Sequence, residues 1–162
     1  MSGTLSHPAS SAEDPSAAGL ANPAESHTVV VYSNDPAVRD TIRLAIGRRP
    51  AADLGPVEFV EVATGAALLA TVDAGGTDLI ILDGEAWPTG GLGLAKQLKD
   101  EIQDCPHTLV LVARKDDAWL ARWSLADAVL AHPVDAPDLA AAVCDQLRAR
   151  AARLPVRRHV AG

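Results

Sequence analysis

The chain has 162 residues, 48% hydrophobic and 22% charged; this fits one ordinary globular domain with tails and excludes collagen-like or wholly disordered chains. Its net charge of −7 is uneven, with nine basic against 21 acidic residues in 1–147 and five arginines without an acid in 148–162. No apolar run approaches the roughly 18–20 residues of a membrane span, and two cysteines, Cys105 and Cys144, exclude a disulfide scaffold or a four-cysteine zinc site.

Residues 1–27 carry six Ala, six Ser and three Pro without apolar periodicity, which predicts a tail that is disordered unless a partner holds it. The pattern changes at Thr28. Residues 29–32 form a near-continuous apolar run, and residues 36–47 carry Val38, Ile42, Ala45 and Ile46 at helical spacing. Residues 57–62 read as an edge strand with Glu58 and Glu61 interleaved, and residues 66–72 as a short helix closed by Gly75-Gly76. A buried-type strand over 79–82 ends in Asp83-Gly84, followed by a helix over 92–102 with Leu94, Leu98 and Ile102 on one stripe. The remaining units are a strand over 109–112, a helix over 117–125, a strand over 128–130 before His132-Pro133, and a helix over 137–150 that aligns Leu139, Val143 and Leu147. Last comes the arginine-rich tail, 149–162, too short to be a DNA-binding module.

Five β–α units with continuous apolar strands predict an α/β, flavodoxin-like, doubly wound five-stranded parallel sheet of order 2-1-3-4-5, with helices on both faces. In that fold the site lies outside the carboxyl ends of strands 1 and 3. Here those ends carry Ser33, Asn34, Asp35 and the carboxylate Asp83. No glycine follows strand 1 to let backbone approach a phosphate, and no G-x-x-x-x-G-K-[ST] loop or G-x-S-x-G elbow occurs, so dinucleotide, flavin and hydrolase chemistry are disfavoured. The five histidines show no H-x-x-x-H pair, and Cys105 reads as a structural cysteine before a reactive one. A body this acidic repels phosphate backbones, so nucleic acid is not an expected partner.

Three stretches carry a family resemblance: Val29-Val30-Val31-Tyr32-Ser33-Asn34-Asp35-Pro36-Ala37-Val38-Arg39, then Asp78-Leu79-Ile80-Ile81-Leu82-Asp83 with Pro88 and Gly91, and His132-Pro133-Val134-Asp135 with Leu139. Their order and spacing over residues 28–148 resemble a response-regulator receiver domain. The resemblance implies that Asp83 matches the aspartate that accepts a phosphoryl group from a sensor histidine kinase. It implies that Ser33 and Asn34 stand where an acidic pair binds Mg²⁺, and that Glu85 supplies the backbone carbonyl ligand. It places Val112 at the hydroxyl position ending strand 4, Val129 at the aromatic switch, and His132 at the lysine before the strand-5 proline. Pro88 falls one residue later than the family's usual proline, which implies a rebuilt loop.

These departures predict a degenerate receiver. A hard divalent ion needs carboxylate charge, and Ser33 and Asn34 remove two such charges. His132 is only partly protonated at neutral pH, and neither valine can act as hydrogen-bonding or rotating reporter. Simpler readings stand beside these: Asp35 as the N-cap before Pro36, Asp83 as an unphosphorylated relic, Glu85 as a solvated side chain and His132-Pro133 as a turn, cis as in the family.

Trp119 and Trp123, four apart on one helix face, are interaction candidates if exposed and core residues if not; Trp87 either covers the emptied pocket or docks a partner. The expectation is an atypical, stand-alone cytoplasmic response regulator, not an enzyme, acting as a protein-interaction module without metal or other cofactor, an accessory subunit of a larger assembly. A second expectation is a Mg²⁺-dependent phosphorelay receiver served by a sensor histidine kinase, and a third a flavodoxin-like enzyme with a small ligand.

Overall fold

The computed structural model describes residues 24–152. Five strands, β1 (His27–Tyr32), β2 (Val57–Val62), β3 (Leu79–Asp83), β4 (His107–Val112) and β5 (Ala128–Ala131), form one parallel sheet of order β2-β1-β3-β4-β5. The helices are α1 (Pro36–Ile46), α2 (Gly65–Asp73), α3 (Gly91–Glu101), α4 (Ala118–Trp123) and α5 (Ala136–Ala151), with a 3₁₀ turn at Lys115–Asp117. The doubly wound sheet expected from the strand–helix alternation is therefore present.

Strand burial follows strand position. All five residues of β3 and all six of β4 are buried, as apolar runs covered on both faces must be. On the outer strand β2, Glu58 and Glu61 face solvent while Val57 and Val62 are buried. Alternate strand residues sort into two cores. Val29, Val31, Leu79, Ile81, Leu109 and Leu111 pack with Ile42 and Ile46 of α1 and with Leu139, Val143 and Leu147 of α5. Val30, Ile80, Leu82 and Val110 pack with Leu68 and Val72 of α2 and with Leu94 and Leu98 of α3.

Helix boundaries have local causes. Asp35 caps α1 by accepting from Ala37 N at 2.8 Å ahead of Pro36, and Thr64 caps α2 by accepting from Ala67 N at 3.1 Å. Two successive glycines with positive φ, Gly75 and Gly76, end the turn after α2. The fourth helix is shorter than its sequence pattern: residues 115–117 wind as a 3₁₀ turn and regular helix spans six residues. The fifth spans Ala136–Ala151, one residue beyond its sequence pattern at each end, and carries Arg148 and Arg150 in its last turn. Arg148 clamps Asp53 with two 2.8 Å hydrogen bonds, which hold that carboxyl below its ordinary pKa and raise that of the guanidinium. Nearly all of the tail expected at 1–27, and residues 153–162 of the tail expected at 149–162, lie outside the described residues. Among the described residues no helix is long and apolar enough to cross a membrane.

Candidate functional site

The carboxyl ends of β1 and β3 are neighbours in the sheet, and this brings Ser33 and Asp83 together across 50 residues of sequence. Asp83 is 3% exposed, the last residue of a strand whose other members are apolar. A buried carboxylate needs hydrogen-bond donors, and Asp83 has them. Ser33 Oγ donates to Oδ2 at 2.8 Å, and Glu85 N donates to Oδ1 at 2.9 Å. Ser33 Oγ in turn accepts from Asp35 N at 3.1 Å, so the hydroxyl is fixed as a donor toward the carboxylate.

The loop after Asp83 is built around close backbone approach. Gly84 N donates to Leu111 O at 2.7 Å, and a Cβ on Gly84 would stand 2.5 Å from that same oxygen. A Cβ on Gly91 would stand 2.6 Å from Asp83 O, so the first turn of α3 presses directly on the strand end. The run Gly90-Gly91-Leu92-Gly93 is therefore the start of α3, with Gly90 as its N-cap, seated on β3. The Trp87–Pro88 and His132–Pro133 peptides are both cis, the second as the resemblance implied.

His132 reaches the cleft from the end of β5, where its N–H donates to Val112 O at 2.8 Å. Its Nε2 lies 3.6 Å from Asp83 Oδ1, beyond hydrogen-bond range but close enough for an ion pair when the ring is protonated. Asn34 does not join the carboxylate: its Oδ1 accepts from Trp87 N at 2.8 Å and so anchors the rebuilt loop. Asp35 is exposed and serves as the α1 cap, and Glu85 is exposed. Val112 is buried and Val129 half-buried in the second core, where neither offers a polar atom to Asp83.

Two further residues, to which the resemblance assigned no role, shape the site. Arg39 Nη1 donates to Ser33 O at 2.6 Å while its Nε pairs with Glu61 at 3.3 Å, tying α1 to the ends of β1 and β2. Tyr32, buried beside the site, donates to Thr89 O; its burial and then the Asp83 charge raise its pKa. Arg39 closes the first stretch of the resemblance, one turn into α1 after the Asp35 cap, but no signal there points to its contact with Ser33 O.

The donor set tests directly for a metal. Magnesium demands several hard oxygen ligands in near-octahedral array, one or two of them usually carboxylates beside retained waters. The cleft offers the Asp83 carboxylate, a serine hydroxyl already bound to it and an amide oxygen already bound to backbone. Among the described residues no group of three His, Cys, Asp or Glu side chains could hold a metal ion. These residues do not fit Mg²⁺.

All three tryptophans are exposed: Trp87 at 75%, Trp119 at 65% and Trp123 at 53%. This decides between core and surface for the α4 pair. Lys96 Nζ of α3 lies 5.6 Å from the Trp123 ring centre, a cation–π contact, and Leu125 adds another exposed apolar side chain next to the helix. At 75% exposure the Trp87 side chain stands largely in solvent.

A five-stranded parallel sheet of this order, with a carboxylate at the end of β3 and cis-proline after β5, defines a receiver domain. Comparison with solved structures agrees. The receiver domain of the Francisella response regulator 1452 superposes with a TM-score of 0.65 at 17% identity, covering 75% of this chain and 97% of that one. A CheY-like response regulator receiver domain protein from Methanospirillum hungatei JF-1 gives 0.61 at 16% identity, covering 78% and 97%. No protein-family model matches the chain. An uncharacterized response regulatory protein of Mycobacterium tuberculosis, in strains ATCC 25618 / H37Rv and CDC 1551 / Oshkosh, is 51% identical over 123 residues, 76% of this chain and 92% of its own length. The chain belongs to the response regulatory proteins.

Proposed function

We propose that this chain is an atypical receiver that acts by binding another protein, as a regulatory or accessory part of a larger cytoplasmic assembly, without phosphorylation control. The observation that carries this reading is the pairing of Ser33 Oγ with Asp83 at 2.8 Å. Where a working phosphoacceptor pocket concentrates negative charge to hold a divalent cation, this one places a neutral hydroxyl that donates to one carboxylate oxygen while Glu85 N donates to the other. The acceptor then lacks the carboxylates that would hold a metal against incoming phosphoryl oxygens, and an imidazole, that of His132, stands 3.6 Å away at the position the resemblance gives to a lysine.

The exposed indoles of Trp119 and Trp123 support the binding half of the proposal, because tryptophan concentrates binding energy at interfaces and rarely stands solvated in pairs. The acidity of residues 1–147 favours a protein over a nucleic-acid partner. The test is capture of partners from native extract by three forms of the protein. Wild type and Asp83→Asn recover the same partner equally, and Trp119→Ala/Trp123→Ala recovers it at least tenfold less. Loss of capture in Asp83→Asn with the indoles intact would favour instead a relay in which Asp83 receives and returns a phosphoryl group.

A further inference from the structure

Trp87 stands in solvent on a loop whose backbone is hydrogen-bonded along its length. Gly84 N donates to Leu111 O at 2.7 Å, Ala86 N to Asp83 O at 3.2 Å and Trp87 N to Asn34 Oδ1 at 2.8 Å, while Tyr32 donates to Thr89 O. Ala86 is buried, and Trp87 beside it is 75% exposed. A backbone fixed in this way lowers the ordering cost of any contact the ring makes, and an indole has only two side-chain torsions to freeze.

The charge around the ring selects its occupant. The two loops joined by the Asn34–Trp87 bond, residues 33–36 and 84–90, hold Asp35 and Glu85 and no lysine or arginine. Both carboxylates are exposed; Asp35 accepts from Ala37 N through one oxygen, and Glu85 makes no ion pair among the described residues. Arg39, the nearest cation along α1, is already held by Glu61 and Ser33 O. The rim therefore asks for a cation from outside. Arginine meets it better than lysine, because a guanidinium lays its flat face on an indole while its N–H edge donates to carboxylates, whereas an ammonium is a compact point charge.

We propose that Trp87, Asp35 and Glu85 form a docking site for an arginine side chain of a partner protein, on the lip of the Asp83 cleft and apart from the α4 indoles. The guanidinium stacks on Trp87 and donates to Glu85 and Asp35. The site uses neither Asp83 nor Trp119 and Trp123, so its success or failure is separate from that of the partner-binding reading above.

The probe is a blocked tetra-arginine peptide titrated into the full chain carrying Trp119→Phe/Trp123→Phe, in which Trp87 is the one remaining indole. Thermal melts confirm that each variant is folded. Trp87 fluorescence is expected to change saturably, and tetra-lysine to bind at least about threefold more weakly because it cannot stack and donate at once. Asp35→Asn, which keeps the helix cap, and Glu85→Gln are each expected to weaken tetra-arginine by about twofold to fivefold, and the two together by about tenfold. Glu58→Gln, near the start of β2 and so at the opposite end of the sheet, leaves the affinity unchanged and separates this site from the attraction of an acidic chain for any polycation. The same titration of wild type, followed at the Trp87 indole N–H by NMR, repeats the measurement without touching α4. No saturable response at Trp87, equal affinity for tetra-lysine, or equal losses in Glu58→Gln and Glu85→Gln would overturn the proposal.

Discussion

Replacing Ser33 by aspartate rebuilds one missing charge and shows what the native hydroxyl does. Ser33 Oγ lies 2.8 Å from Asp83 Oδ2, so a carboxylate on residue 33 faces a buried carboxylate at nearly the same range. Two unit charges about 4 Å apart repel by about 4 kcal/mol at an effective dielectric near 20. The lost hydrogen bond to a charged acceptor adds about 1.5–3 kcal/mol. Rotation of the new side chain or partial protonation relieves part of this, so Ser33→Asp is expected to lose about 2–4 kcal/mol, a large share of a typical domain's stability. Urea unfolding with and without magnesium is the assay, with the midpoint falling at unchanged slope. Magnesium at ten times its dissociation constant returns about 1.4 kcal/mol to the variant and nothing to wild type. The reasoning is refuted if Ser33→Asp matches wild type without magnesium, or if magnesium stabilises wild type equally.

Three further outcomes follow from the geometry. Gly91→Ala drives a Cβ to within 2.6 Å of Asp83 O and is expected to destabilise by about 1–3 kcal/mol, whereas Gly93→Ala two residues on meets nothing within 4 Å and is expected to gain up to about 1 kcal/mol of helix propensity; urea midpoints compare them. Trp119→Ala/Trp123→Ala is expected to cost about 1–2 kcal/mol, because both rings are more than half exposed and the Lys96 contact is lost together with the packing of their buried edges, and the same urea measurement separates this loss from the binding defect. Asp53 has its folded pKa lowered by Arg148, so the pair's contribution is fully present above the unfolded value near 3.8 and fades as pH falls through the lower folded value. The stability gap between wild type and Asp53→Asn is therefore expected to be constant from about pH 7 to 5 and to close below the unfolded pKa; a gap that widens in acid contradicts the sign.

Much of the fold is legible in the sequence because its signals are local and repeated. Apolar runs such as 79–82 announce strands buried on both faces, and the alternation of Glu58 and Glu61 with apolar neighbours is enough to mark the outer strand. The α4 region is less legible: Asp116 and Asp117 precede a short apolar stretch, and the segment winds first as a 3₁₀ turn. At the site, the meeting of Ser33 with Asp83 follows from strand order, since β1 and β3 must end side by side. The Asn34–Trp87 bond and the reach of Arg39 to Ser33 O do not follow from strand order. They depend on loop path and rotamer, which neither periodicity nor composition encodes. Exposure of the α4 indoles is likewise open at the level of sequence, because two tryptophans four apart suit a core stripe as well as an interface.

The proposed function requires that Asp83 take no part in metal-assisted phosphoryl transfer. Intact mass of the wild-type protein after incubation with acetyl phosphate and magnesium measures this directly. The unmodified mass at every time point is the expected result. One added phosphoryl group that is absent in Asp83→Asn would contradict it and restore the chain to the phosphorylated response regulators.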